Sequence, residues 1–490
     1  MNWRLVLRIL GTLMLVLAAA MAVPLVLALC LGEPDVPALL VGFTGAVVPG
    51  LGLSIGYRRE TNVLGPREAL VVVALAWITA IVLGALPYRL WALLHVTPGL
   101  DTVSACIFEA ASGFSTTGAT VLGDVEALPH GLKLWRASTQ WLGGMGIIVL
   151  FVALLPSLGI GARGMFQAEV PGLVKRKFTP RLKDTARLLW ISYTLLSAGE
   201  VLALRLAGLG WFDAICHTFT TMATGGFSTR NAGVMGFDSV AVEMVLVVFM
   251  VLAGLNFALH VGVFRNGPGI YLRDPEARSY LGLLLSLSVA LAAALWLGGA
   301  FNLAGSLRFA VFQVVSLTTT TGFHSADFEA WRLPLPFTSV LLLLAMFVGG
   351  CSGSTAGSMK VARIVVSSKL AWRELARLAH PRGVFPIRMG PEVVPESQVS
   401  LVSGFVVLYL GFFALGVLLL AATGQDLVTS IAATAASIGN VGPGFGEVGP
   451  TLTYAGFGPV GQWVLIFEML LGRLELFTVL VLLSKAFWQR

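Results

Sequence analysis

Four times along this chain of 490 residues, a short uncharged stretch of glycine and hydroxyl side chains interrupts hydrophobic sequence: Ser115-Thr116-Thr117-Gly118-Ala119-Thr120, Ala223-Thr224-Gly225-Gly226-Phe227, Thr319-Thr320-Thr321-Gly322-Phe323 and Ser437-Ile438-Gly439-Asn440-Val441-Gly442. Gly118, Gly225, Gly322 and Gly439 follow one another at intervals of 107, 97 and 117 residues. One chain then supplies four quarters of a ring about a common axis. A ring of backbone carbonyls can replace an ion's hydration shell.

The surroundings of these stretches define the solvent. Hydrophobic residues make up 57% of the chain and charged residues 12%, about half the charge of an average soluble domain, so the chain reads as an all-α polytopic membrane protein. Charge-free runs from Ile9 to Gly32, Val36 to Tyr57 and Ala69 to Tyr88 span 24, 22 and 20 residues, each reaching the ~20 needed to cross hydrocarbon as helix. The first run is too long for a cleaved signal peptide, and Glu33, Asp35 and a second span follow it. Cys30, Cys106, Cys216 and Cys351 lie far apart in apolar sequence, and the six histidines form no metal-ligand pattern, so neither a redox pair nor a protein metal site is expected; no covalently bound cofactor is expected either.

The net charge of +7 is distributed as topology, not as a nucleic-acid surface. Arg58, Arg59 and Arg67 form one basic cluster; Arg163, Lys175, Arg176, Lys177, Arg181, Lys183 and Arg187 a second; Lys360, Arg363, Lys369, Arg373, Arg377, Arg382 and Arg388 a third. The positive-inside rule assigns these loops to the cytoplasm, with Arg4, Arg8, Lys485 and Arg490 placing both termini there, which requires an even number of crossings.

Two leading helices (1–65) precede four units of outer helix, half-helix, hydroxyl/Gly stretch and inner helix: 66–165, 185–266, 276–366 and, after a cytosolic linker at 367–398, 399–490. Half-helices are expected at 102–114, 212–222, 305–318 and 426–437, and later inner helices at 239–264, 335–365 (broken in the middle) and 458–486. The half-helices are too short to cross at ~1.5 Å per residue, so they enter and turn back. Asp101, Asp213 and Asp426 stand near their starts as caps, which leaves the negative dipole ends facing the pore centre and favours a cation. Glycine at the four positions permits positive φ or close approach at the axis. Thr116, Thr117, Thr224, Thr320 and Thr321 add oxygens, and Ala223, Ser437, Ile438 and Asn440 complete stretches without carboxylates. Neutral oxygens suit a weakly hydrated monovalent cation better than calcium.

At these residues the chain resembles the ion-translocating membrane subunit of Trk-type potassium uptake systems, in the Trk/Ktr/HKT superfamily. The resemblance spans essentially the whole chain and rests on the run from Phe108 to Thr120, on Ala223 to Thr229, on Thr320 to Phe323 and on Gly439 to Gly444. It implies a pseudo-fourfold pore in each subunit, a homodimer with two separate pores, a bacterial inner-membrane location, and a cytosolic nucleotide-binding regulatory subunit (TrkA-like) as partner. Filter roles fall on the triplets ending at Gly118, Gly225, Gly322 and Gly439. Ile438 gives the fourth quarter no hydroxyl and implies softer selectivity, while the resemblance implies, from glycine rather than serine at 118, potassium over sodium.

Two further elements follow from the same reading. The segment from Gly349 to Lys360, with Gly350, Gly353, Ser354, Thr355 and Gly357, carries too much glycine for a helix interior and resembles the family's intramembrane gate. Arg473 interrupts the last inner helix, where a charge must face water or a partner. The resemblance points it into the pore below the filter; the alternative is a pair with Glu468 or Glu475. Other readings are a proton- or sodium-coupled potassium symporter using Glu200 and Glu243, a less selective potassium/sodium pore, and an intramembrane hydrolase at Gly52-Leu53-Ser54-Ile55-Gly56. The last lies inside a predicted helix and lacks His and Asp partners in a hydrolase order. Loops 163–187 and 360–398 are candidate docking surfaces for the regulatory partner, through which alone nucleotide would act.

Overall fold

The computed structural model describes residues 1–58, 65–146 and 182–489. Arg59, the basic residues from Arg163 to Arg181, and the first unit's chain beyond 146 lie outside the described residues.

The leading pair, α1 (Trp3–Leu31) and α2 (Val36–Gly56), is joined by a short turn. Lipid offers no hydrophobic drive for helix association, so close packing of small residues must supply it. A Cβ on Gly11 would stand only 2.7 Å from Leu53 Cβ and 2.8 Å from the Ser54 nitrogen. Because α2 runs straight through Ser54, the Gly52-Leu53-Ser54-Ile55-Gly56 stretch forms no nucleophile turn. The turn's acids then reach the first pore unit. Glu33 accepts the His130 amide at 2.7 Å and Asp35 the Leu132 amide at 2.8 Å, satisfying free amides where the inner helix α5 begins.

The four units follow. The first holds α3 (Pro66–Leu94), α4 (Val103–Phe114) and α5 (His130–Gly144). The second holds α6 (Leu182–Leu206), α7 (Trp211–Met222), α8 (Val240–Ala253) and α9 (Phe257–Asn266). After the short α10 (Ile270–Arg273), the third holds α11 (Pro275–Leu297), α12 (Leu303–Thr318), α13 (Pro336–Met346) and α14 (Val361–Ala379). A small antiparallel pairing of β1 (Arg388–Met389) with β2 (Glu392–Val393) lies in the linker. The fourth unit holds α15 (Glu396–Ala422), α16 (Leu427–Ile438), α17 (Pro459–Arg473), α18 (Phe477–Leu483) and α19 (Lys485–Trp488).

Among the described residues six helices are long and apolar enough to cross a membrane. The half-helices α4, α7, α12 and α16 run ~18–24 Å, short of the ~30 Å hydrocarbon core, and their inner turns are buried. Of the three expected caps, Asp426 alone acts as one, accepting the Thr429 amide at 3.0 Å. Thr102, not Asp101, caps α4 through the Ala105 amide at 3.1 Å. Asp213 sits inside the first turn of α7 and binds the Thr229 hydroxyl at 2.6 Å.

Continuous second and fourth inner helices were expected, and both are broken. α8 and α9 meet at 101°. Asn256 caps the restart, its side chain accepting the Ala258 amide at 2.8 Å. In the fourth unit the helix stops at Arg473 and restarts at Phe477, with Glu475 left-handed at φ 52°. Hydrophobic sequence alone does not reveal these breaks, because the backbone groups they free are satisfied by distant segments. The termini share one face: the Met1 amino group lies 3.9 Å from Glu68, and Arg67 donates to the Gln489 carbonyl at 3.1 Å.

Replacing Gly11 with Leu should wedge α1 from α2 and destabilise the protein by about 1–3 kcal/mol. A lowered Tm in detergent checks this; an unchanged Tm would show that the hairpin packs without that contact.

Candidate functional site

Each half-helix ends in the same way. Ser115, Ala223, Thr319 and Gly439 are the C-caps. The next residues, Thr116, Thr224, Thr320 and Asn440, are left-handed, with φ of 55°, 53°, 58° and 54°. One residue further on, the amides of Thr117, Gly225, Thr321 and Val441 return to Ser112, Thr220, Ser316 and Ala436 carbonyls at 2.9, 2.8, 2.9 and 2.7 Å. This is the six-to-one closure that normally places glycine at the left-handed position. Three threonines and an asparagine stand there instead, and such conformations persist only where surrounding structure holds them, at about 1–3 kcal/mol each.

The geometry shifts the register in two quarters. The residues that follow with positive φ are Gly118, Gly226, Gly322 and Gly442, at 83°, 75°, 80° and 98°. Gly225 therefore occupies the place of Thr117, and Gly439 is a helix cap with φ −81°. Ser437 and Ile438 are the last residues of α16 and are fully buried. The fourth triplet is Asn440-Val441-Gly442, so the polar side chain expected to be missing from that quarter is Asn440. Sequence spacing could not choose between adjacent glycines in Gly225-Gly226, nor between Gly439 and Gly442.

In this register the loops close on one another. A Cβ on Gly118 would overlap the Gly225 carbonyl, one on Gly226 the Thr321 carbonyl, one on Gly322 the Val441 carbonyl, and one on Gly442 would press on the Thr117 carbonyl. Each quarter touches the next, and the fourth returns to the first. Only glycine permits this approach, both for its missing Cβ and for its positive φ.

The loops are tied in alternate ways. In the first and third, hydroxyls pair across two residues, Ser115 with Thr117 at 2.7 Å and Thr319 with Thr321 at 2.8 Å. The second loop has no such hydroxyls and is held by Gln140 of α5, which donates to the Gly225 carbonyl at 2.7 Å and accepts the Phe227 amide at 3.1 Å. The fourth is held by Asn440, whose amide donates to Thr117 Oγ1 at 3.0 Å and to the Met469 carbonyl at 2.9 Å, and by Tyr454, whose hydroxyl donates to the Gly442 carbonyl at 2.6 Å. Behind the first loop Glu109 and Arg136 form a buried pair at 2.8 Å, with Arg136 stacked 4.0 Å from the Phe227 ring centre. Sequence reasoning passed over Gln140, Arg136 and Tyr454. The signal was a charge and an uncharged polar run, Arg136 to Gln140, inside the first repeat unit.

The Gly349–Lys360 segment packs directly below. The Gly357 amide donates to Thr320 Oγ1 at 2.7 Å, so the segment touches the third loop. Its other groups fill the break between α8 and α9: the Cys351 amide donates to the Gly254 carbonyl at 2.8 Å, the Thr355 hydroxyl to the Ala253 carbonyl at 3.2 Å, and the Gly353 carbonyl accepts the Phe257 amide at 3.1 Å. Gly349 and Gly353 take positive φ, and Gly350 backs onto the Gly254 carbonyl. The Lys360 ammonium folds back on the Ala356 and Ser354 carbonyls. Arg473 reaches across from α17, donating to the Thr355 carbonyl at 2.8 Å, to the Gly144 carbonyl at 2.7 Å and to the Gly143 carbonyl. Glu475, one of its two expected partners, pairs with Arg363. Glu243, one of two candidate proton carriers, is held by Arg308 through two bonds of 2.7 and 2.8 Å, while Glu200 is fully buried in α6.

A family model described as TrkH, cation transport protein, matches residues 54–490. The chain is 39% identical to the Trk system potassium uptake protein TrkH of Halomonas elongata and 40% identical to TrkH of Escherichia coli K12, over the full length of each pair. It is 35% identical to TrkG of E. coli K12 over 99% of both chains. The crystal structure of the potassium transporter TrkH from Vibrio parahaemolyticus superposes with a TM-score of 0.89 at 37% identity, covering all of both chains.

Replacing Gln140 with Leu leaves the buried Gly225 carbonyl without its partner, at about 1–3 kcal/mol. Cation discrimination should fall while the protein remains folded; unaltered permeability ratios would show that the second loop holds its shape unaided.

Proposed function

The chain belongs to the TrkH family of cation transport proteins, and from that premise we propose that it takes up potassium through the ring closed by Gly118, Gly226, Gly322 and Gly442. Its role is transport, not catalysis. The observation that carries the proposal is the mutual contact of four loops that present backbone carbonyls and no carboxylate. Four half-helices end at this ring, so their negative dipole ends favour a cation there. Filter oxygens come from Thr116, Thr117, Thr224, Gly225, Thr320, Thr321, Asn440 and Val441. Asn440 is engaged with Thr117, so the fourth quarter is braced by an amide where the others carry threonine.

The Gly349–Lys360 segment acts as the gate. Its contact with Thr320 and the three carbonyl bonds of Arg473 support a closed arrangement in which segment, filter and α5 are linked. Opening must break those links, and the break between α8 and α9 must release the segment. The subunit works as a homodimer in the bacterial inner membrane with both termini cytoplasmic. A cytosolic nucleotide-binding subunit engages the linker and drives the gate. Glu243 is committed to Arg308, which favours a channel over proton-coupled symport through that residue.

Flux into liposomes holding the purified chain tests the reading. Voltage-driven potassium or rubidium entry exceeding sodium and lithium and ignoring a pH gradient is expected; entry strictly tied to protons or sodium would make it a symporter. Gly118→Ser should bring sodium permeability toward that of potassium. Arg473→Ala removes bonds from a charged donor worth roughly 1.5–3 kcal/mol each, so partner-free flux should rise about tenfold or more. Unchanged flux would assign Arg473 to structural support alone.

A further inference from the structure

A groove of about 400 Å³ opens on the outer surface between α15 and α17, lined by Phe412, Gly416, Leu419, Trp463, Phe467 and Glu468. Its rim is open, with Trp463 50% and Leu419 43% exposed, whereas Glu468 at its floor is 3% exposed. Neither carboxyl oxygen of Glu468 has a hydrogen-bond partner among the described residues. The carboxyl packs against the bare backbone of Gly416, where a Cβ would overlap it. The Thr434 hydroxyl of α16, also buried and unpartnered among the described residues, belongs to the same region, its methyl group lying 2.9 Å from the position of that Cβ.

A carboxylate without partners in an apolar recess is costly, and a cation that also donates hydrogen bonds offsets that cost. The walls add aromatic faces, with the Phe412 and Phe467 ring centres 6.5 Å apart and Trp463 at the rim. Such faces favour ammonium groups. The entrance meets acyl chains, so the occupant must be mostly hydrocarbon. Glu468 stands nine residues into α17, ~13 Å along the helix, so the charged group of an occupant must reach that far from the helix start. We propose that this groove is a binding site for a single-chain alkylammonium amphiphile entering from the membrane, its ammonium on Glu468 and its chain between α15 and α17. The site is separate from the pore ring, and the inference does not depend on which ion the ring passes.

The test uses the full chain in phosphatidylcholine nanodiscs, with dodecylamine as probe and dodecanol as its uncharged counterpart, read by thermal unfolding. Dodecylamine should raise Tm saturably and dodecanol should not. Glu468→Gln should weaken apparent binding by about tenfold or more, the scale of a lost charged hydrogen bond. Leu419→Trp, which fills the groove and keeps the carboxyl, should weaken it as well and guards against a folding defect in the first variant. Equal shifts in wild type and Glu468→Gln, equal shifts from the two probes, or no saturable shift would overturn the proposal. The last is the result expected if the carboxyl holds only a proton or a second copy seals the groove. Competition by phosphatidylethanolamine in the nanodisc would overturn the single-chain assignment in favour of a lipid headgroup.

Discussion

The fold depends on the way four short helices end. Each must stop near the axis, turn within three residues, and present carbonyls without colliding with its neighbours. A left-handed residue after the cap makes the turn, and a glycine two residues later lets the next quarter's carbonyl approach. The strain in Thr116, Thr224, Thr320 and Asn440 is held by the six-to-one closures beneath them and by side chains from elsewhere. Removing any one support would free one quarter, but the ring contacts would transmit the change to the next.

The symmetry is of backbone, not of chemistry. Two loops brace themselves with their own hydroxyl pairs, and two rely on Gln140, Asn440 and Tyr454. Residues equivalent in position have diverged because each quarter needs its carbonyls held, and several unrelated donors can hold them. The same economy governs the inner helices. Where α8 breaks, the freed carbonyls and amides in low dielectric require partners, and the Gly349–Lys360 segment supplies them. Segment and break are thus one structure: neither is satisfied without the other.

Local composition revealed a good deal of this. The half-helices at 102–114, 212–222, 305–318 and 426–437 match α4, α7, α12 and α16 to within two residues, because a short apolar run ending in threonine and glycine has few alternatives in a membrane. The glycine-rich break after Met346 was legible for the same reason. The break at Gly254 was not, since it lies in sequence able to continue as helix, and Arg473 stood out as a charge in the last inner helix without showing that the helix stops there and restarts at Phe477. Asp101 and Asp213 carry the right chemistry for caps at nearly the right places, yet Thr102 caps α4 and Asp213 falls inside the first turn of α7, bound to the Thr229 hydroxyl, through geometry that spacing does not encode.

From the sequence alone follow the solvent, the four interrupted units and the neutral character of their loops, because hydrophobicity, helix length and the absence of carboxylates act within one segment at a time. The register of the second and fourth loops, the carbonyl partners of Arg473 and the burial of Glu468 at the floor of a groove were decided only in the tertiary structure. Each depends on which backbone group or surface a distant segment brings within hydrogen-bonding or van der Waals reach, and that is settled only when all four quarters close around the axis.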